Sequence, residues 1–224
     1  MALKKVSVPS SSSDFRQIAF LCFLSKVLEK LSHDQMTSYL EKSGLLGLIQ
    51  TGVRIYNGTE TELIKLTDDI RMSIDKRLVT SLLFFDFSKT FDTISPSRLL
   101  VKLKNLSFLG GALRWIESYL RNQAQCVLSG STKSEYLTTN LGVPQVRVLG
   151  PLLFCLYVND LKHRLNEDFT LVIFHIFYAD DLQIYFQVPI DQVFDSLDRK
   201  AGQYVTAWAY GTGLTINVGK SKQL

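Results

Sequence analysis

Phe177-Tyr178-Ala179-Asp180-Asp181 is the stretch on which the reading of this chain turns. It closes one apolar run, residues 169–178, and precedes another, residues 182–188. Both runs have the length and composition of buried strands, which places the acidic pair at the turn between them. Aspartate is a common turn residue because its side chain bonds its own backbone, so a polar hairpin turn is one reading. Two carboxylates side by side at the rim of a core are costly, however. Either one takes up a proton or both share a cation. A divalent ion answers that cost, because Mg²⁺ takes carboxylate oxygens and keeps coordination places for phosphate.

A third acidic residue strengthens the cation reading. Residues 81–86, Ser-Leu-Leu-Phe-Phe-Asp, form an apolar run that ends abruptly on Asp86. Such a run suits a strand buried on both faces. Alone, Asp86 reads equally well as a cap on that strand or on the next helix. If the strands are neighbours, Asp86, Asp180 and Asp181 can hold two Mg²⁺ ions about 3.5–4 Å apart. That geometry suits in-line displacement at phosphorus.

The chain has 224 residues, of which 46% are hydrophobic, enough for one full core and a small subdomain. Its net charge of +4 is compatible with a nucleic-acid partner without requiring one. Cys22, Cys126 and Cys155 are odd in number and lack metal-ligand spacing, which points to a reducing, intracellular setting. His33, His163 and His175 form no metal motif. No apolar run reaches the roughly 18–20 residues of a membrane span, so no membrane association is expected. A Ser-rich stretch, Ser10 to Ser13, stands where a signal peptide needs its apolar region.

Residues 1–13 are expected to be a flexible arm, and residues 14–224 one domain. Apolar residues at 20, 21, 24, 27, 28 and 31 predict a helix over 18–31, and a second short helix is expected over 35–42. Thr59-Glu60-Thr61-Glu62 reads as a capping box before the helical face Leu63, Leu66, Ile70 and Ile74. Further helices are expected over 96–103, 112–121, 151–161 and 190–208. Strands are expected over 123–128, 135–141 and 213–218. Helices mixed with an antiparallel hairpin make the class α+β.

Read together, these blocks resemble the reverse transcriptase domain of non-LTR (LINE-type), jockey-like retrotransposons. Asp14-Phe15-Arg16 and the Ser25-Lys26-Val27-Leu28-Glu29-Lys30 core resemble the opening fingers segment. Gly52-Val53-Arg54 with Gly58-Thr59 resembles the fingers motif that meets the nucleotide. Asp86-Phe87-Ser88-Lys89-Thr90-Phe91-Asp92 resembles the first palm motif. Gly142-Val143-Pro144-Gln145 with Val148-Leu149-Gly150-Pro151 resembles the second, and Tyr178-Ala179-Asp180-Asp181 the third. Leu214 to Ser221, with Asn217 and Lys220, resembles the fourth. The blocks stand in the family's order.

The resemblance implies a polymerase palm, an antiparallel sheet backed by helices, with a partial fingers subdomain before it. The fourth motif stands at the end of the chain, so the thumb is expected to be missing. It further implies RNA-directed DNA synthesis, with an RNA template, a DNA primer, deoxynucleoside triphosphates and two Mg²⁺ ions, for which Mn²⁺ can substitute. Asp86, Asp180, Asp181 and the Phe87 carbonyl would be the metal ligands. Arg54 would grip the triphosphate, as its planar fork suits phosphate oxygens; a solvated loop arginine is the plainer reading. Phe91 would be the steric gate against a 2′-hydroxyl, or simply part of the core. Gln145 would lie near the new base pair. Lys220 would hand a proton to pyrophosphate, or be a solvated terminal lysine. Nuclear location would follow from the family's priming at chromosomal DNA.

The chain also departs from the family. Gln145 is followed by Val146 and Arg147 where Gly-Ser is usual. Glycine there permits close backbone approach, which stiff, β-branched valine does not. Gln17 and Cys22 replace usual prolines, Val53 a usual aromatic, and Ile55 a usual proline. These changes motivate a second reading. On it the chain is a degenerate, inactive retrotransposon relic that acts at most as a nucleic-acid-binding or protein-interaction fragment. A nucleotide cyclase also uses a palm, but would not need the fingers and Gly-Val-Pro-Gln blocks.

Overall fold

The computed structural model describes residues 2–4, 15–17, 22–45, 59–121, 123–129, 132–143, 148–161, 164–165, 173–178, 181–189 and 194–223. The chain divides into two compact units. One comprises Met1–Tyr39 and Phe91–Phe154, the other Leu40–Thr90 and Cys155–Leu224.

The second unit holds the central sheet. Strand β3 (Leu78–Ser88) pairs antiparallel with β9 (Asp181–Pro189), and β9 with β8 (Ile173–Tyr178). On its other edge β3 receives two short strands in succession, β10 (Thr215–Ile216) and β11 (Lys222–Gln223). The two apolar runs flanking Asp180-Asp181 and the run ending on Asp86 are thus neighbours in one sheet. Of the expected strand over 169–178, residues 169–172 lie outside the described residues.

Alternation along β3 shows why both sheet faces are covered. Ser81, Leu83, Phe85 and Phe87 are buried, and they face Phe186, Ile184, Leu182 and Ile216 in register. Behind this face lies helix α7 (Phe194–Thr212), whose Trp208 ring meets Phe87 edge-on at 6.3 Å. The opposite face is covered by helix α2 (Thr59–Asp75). Leu66 and Ile70 pack there on Tyr185 and Leu82, which are opposite each other in the sheet. Polar ties fix both layers. The Tyr185 hydroxyl donates to Asp69 Oδ2 at 2.6 Å, and Ser81 donates to the buried Asp198 at 2.7 Å. The side chains that would close the capping box, Thr59 and Glu62, lie outside those described.

The first unit is mostly helical. Helix α1 (Phe23–Lys42) is one element where two were expected, because neither glycine nor proline interrupts residues 31–35. A greater difference concerns its faces. Leu24, Val27, Leu28 and Leu31, the stripe that predicted the helix, are 76%, 40%, 52% and 56% exposed, whereas Glu29 and Met36 are buried. Helix α3 (Thr90–Thr93) is a single turn. Helix α4 (Pro96–Asn105) begins with Ser95 as N-cap and Pro96 in its first turn, and α5 (Gly110–Leu120) packs on it. Leu99, Leu103, Ile116 and Leu120 form the buried stripe of this pair. Where two strands were expected there are four short ones. β4 (Gln123–Gln125) pairs with β7 (Leu137–Thr139), and β5 (Leu128–Ser129) with β6 (Thr132–Lys133). Strand β1 (Ala2–Lys4), inside the expected arm, pairs with β2 (Phe15–Gln17).

Helix α6 (Leu149–Val158) runs from the first unit's last stretch into the second's. It is apolar on every side, and residues 152–158 are all buried, as suits a helix with no solvent face.

Candidate active site

Asp86 and Asp181 are register partners on adjacent antiparallel strands. Directly opposed residues carry their side chains to the same face, with Cβ atoms about 4.5–5.5 Å apart. Two acidic residues in that relation repel each other unless a cation or proton lies between them. Asp181 also pairs with Tyr178 on β8, so only residues 179 and 180 connect the strands. Asp180 lies outside the described residues. Among the described residues no group of three or more histidine, cysteine, aspartate or glutamate side chains is gathered at one place. The two placed carboxylates supply hard oxygen donors from rigid strands, the donor type that Mg²⁺ takes.

The backbone of Asp86 is gripped by the turn between β10 and β11. Its carbonyl accepts from the Asn217 amide at 2.7 Å, and its own amide donates to Ser221 Oγ at 3.3 Å. The turn is closed by the Ser221 and Lys220 amides, which donate to the Asn217 carbonyl at 3.0 and 3.1 Å. This interruption of the edge strand brings Lys220 to the site, its Nζ 3.9 Å from Asp86 Oδ2. The lysine side chain is 72% exposed and the aspartate 22% exposed. Neither Asn217 nor Ser221 has a role legible in spacing. Each acts through a backbone contact that exists only once β10 and β11 straddle Asp86.

The Phe87 carbonyl accepts the Thr90 hydroxyl at 3.1 Å, which spends one of its two lone pairs. The chain then turns sharply out of β3 through Lys89, whose φ of 49° is unusual for a residue other than glycine.

Phe91 belongs to the first unit, where its half-buried ring lies 5.4 Å from that of Phe154. The backbone around it is tied to Gly142-Val143. The Val143 amide donates to the Phe91 carbonyl at 2.7 Å, and the Gly142 amide to that of Ile94 at 2.8 Å. Gly142 has φ +92°, and a Cβ there would stand 3.0 Å from Asp92 Cα. Arg54 and Gln145, and with them Val146 and Arg147, lie outside the described residues.

A sheet of this topology, backed by helices and carrying opposed aspartates where two strands pair, has the architecture of a polymerase palm. Solved structures of the same fold include telomerase from Candida tropicalis and from Candida albicans, each in complex with a fragment of telomeric RNA. The TM-score is 0.62 for both, at 12% and 13% identity, covering 90% of this chain and 33% and 35% of those. The chain belongs to the reverse transcriptase (RNA-dependent DNA polymerase) family, whose sequence profile matches residues 3–224.

Its relatives are RNA-directed DNA polymerases of mobile elements. It is 27% identical over 215 residues to the probable RNA-directed DNA polymerase from transposon X-element of Drosophila melanogaster, covering 95% of this chain and 23% of that protein. It is 26% identical over 226 residues to the RNA-directed DNA polymerase from mobile element jockey of Drosophila funebris, covering 98% and 24%. The chain thus spans about a quarter of the length of these relatives. Among the described residues no helix is long and apolar enough to cross a membrane.

Proposed function

We propose that this chain carries the active site of an RNA-directed DNA polymerase, joining deoxynucleotides to a primer 3′-hydroxyl opposite an RNA template. The observation that carries this reading is the opposition of Asp86 to Asp181 at the end of two paired strands. Asp86, Asp180, Asp181 and the Phe87 carbonyl would hold two Mg²⁺ ions, with Mn²⁺ as a substitute. When bound, such ions neutralise charge on the triphosphate and the attacking oxygen.

The reaction is displacement at the α-phosphorus with release of pyrophosphate. The protein's part is positioning and charge. Arg54 would clamp the triphosphate and Phe91 exclude a 2′-hydroxyl. Gln145 would brace the new base pair, and Lys220 would donate a proton to the leaving pyrophosphate. Residues 14–224 would comprise fingers and palm, working in the nucleus on a DNA primer.

A second reading, the inactive relic, is motivated by Val146-Arg147 together with the departures at Gln17, Cys22, Val53 and Ile55. Primer extension on an RNA template with Mg²⁺ or Mn²⁺ separates the two, run beside Asp180→Asn and the restored pair Val146→Gly/Arg147→Ser. Extension that Asp180→Asn abolishes establishes the polymerase. Extension by the restored pair alone makes the native chain a relic with an intact metal site. Absence of extension from both folded proteins overturns the polymerase reading for this chain.

A further inference from the structure

Glu29 is 2% exposed, on a helix whose apolar stripe faces solvent. Burying a carboxylate is costly unless donors replace its water. The donors come from two other elements of the same unit. The Tyr119 hydroxyl on α5 donates to Oε1 at 3.0 Å, and the Val148 amide donates to Oε2 at 3.0 Å. Val148 immediately precedes α6, so the carboxylate also sits at the positive end of a ten-residue helix.

This contact has a counterpart five residues upstream, at Val143. Residues 144–147, which include Gln145, are bounded on one side by Gly142 and Val143, both bonded to the backbone of residues 91–94. They are bounded on the other side by Val148, bonded to Glu29. The upstream anchor is made by backbone groups alone. Among the described residues, the downstream anchor hangs on one side chain, that of Glu29.

We propose that Glu29 is a positioning residue that, steadied by Tyr119, fixes the Val148 amide and so sets where the segment bearing Gln145 ends. The functional consequence rests on the polymerase reading; the anchoring itself does not. If Gln145 braces the nascent base pair, slack at Val148 weakens nucleotide binding more than it slows the bound complex.

The test compares Glu29→Gln, Glu29→Leu and Tyr119→Phe in the full chain. Three quantities are read: thermal midpoint, hydrogen exchange of the Val148 amide, and KM and kcat for deoxynucleotide in primer extension. Glutamine can accept from Val148 through its carbonyl and donate to the Tyr119 oxygen, so it is expected to stay within about threefold of native in exchange and KM. Glu29→Leu is expected to speed exchange at Val148 and raise KM about tenfold, well below its own melting temperature, with kcat changed less. Tyr119→Phe should produce a smaller shift in the same direction, and stands in for the leucine variant should that fail to fold. Native exchange at Val148 in Glu29→Leu, or in Tyr119→Phe if it stands in, overturns the proposal, as does a glutamine variant as loose as the leucine one. Loosened exchange with no change in KM removes the functional consequence. If the native chain incorporates nothing, the polymerase reading fails, while the exchange data still decide the anchor.

Discussion

Asp86 is fixed by its neighbours at both backbone groups before its carboxylate does anything. The Lys220 contact adds little to that rigidity, because it is long and the lysine is well exposed. Lys220→Ala is therefore expected to shift stability by less than about 1 kcal/mol in urea denaturation. A marked loss of incorporation rate in the same variant would mark the lysine as chemical and not structural. Tyr185 is the opposite case, since its hydroxyl is buried against the Asp69 carboxylate. Tyr185→Phe should cost about 1.5–3 kcal/mol in the same experiment.

The cysteines differ in a way that labelling can read. Burial pushes the Cys155 thiol up to about 12, whereas a hydrogen bond with Ser25 at 3.0 Å holds the exposed Cys22 below its ordinary value. The thiolate is the reactive form, so a lowered value means more of it at a given pH. Iodoacetamide near about pH 8 should modify Cys22 first and leave Cys155 untouched until the protein unfolds. Mass spectrometry of the digested, labelled chain checks this; early labelling of Cys155 would contradict its burial.

At the scale of elements, the turns that bring motifs together depend on single backbone conformations. Gly142 stands at φ +92° with no room for a Cβ beside Asp92, whereas Gly111 within α5 has nothing within 4 Å. Gly142→Ala is expected to destabilise by about 1–3 kcal/mol, and Gly111→Ala to be neutral or stabilising by about 0.5–1 kcal/mol. Equal midpoints for the two variants in chemical denaturation would contradict the strained turn. The central strands were legible in sequence because each contains an apolar run bounded by aspartate, residues 81–85 before Asp86 in β3 and residues 182–188 after Asp181 in β9. Helix α1 was legible as a helix, but its buried side was not. The stripe Leu24, Val27, Leu28 and Leu31 has the right period, yet Glu29 and Met36 turn inward. Periodicity reports that a face exists, and only packing decides which face is covered.

Across the whole molecule, 25 basic and 21 acidic side chains leave a modest excess of positive charge. Affinity for nucleic acid should therefore depend on local clusters and weaken steeply with salt. If about four phosphates are neutralised, affinity for a duplex falls roughly a hundredfold between about 50 and 200 mM salt. Fluorescence anisotropy of a labelled primer–template across a salt series measures the slope, and a flat response would exclude phosphate contacts as the source of binding.

By itself the sequence determined the family, the α+β class and the acidic residues worth watching. These depend on local composition and on motif order, which a linear text preserves. It also displayed the departure at Val146-Arg147. Only the tertiary structure decided that Asp86 faces Asp181 in register, that the turn at Asn217–Ser221 grips Asp86, and that Glu29 is buried under Tyr119 and Val148. The physical reason is that register and burial arise between segments far apart in the chain. A carboxylate on a helix looks alike in sequence whether it meets water or two buried donors.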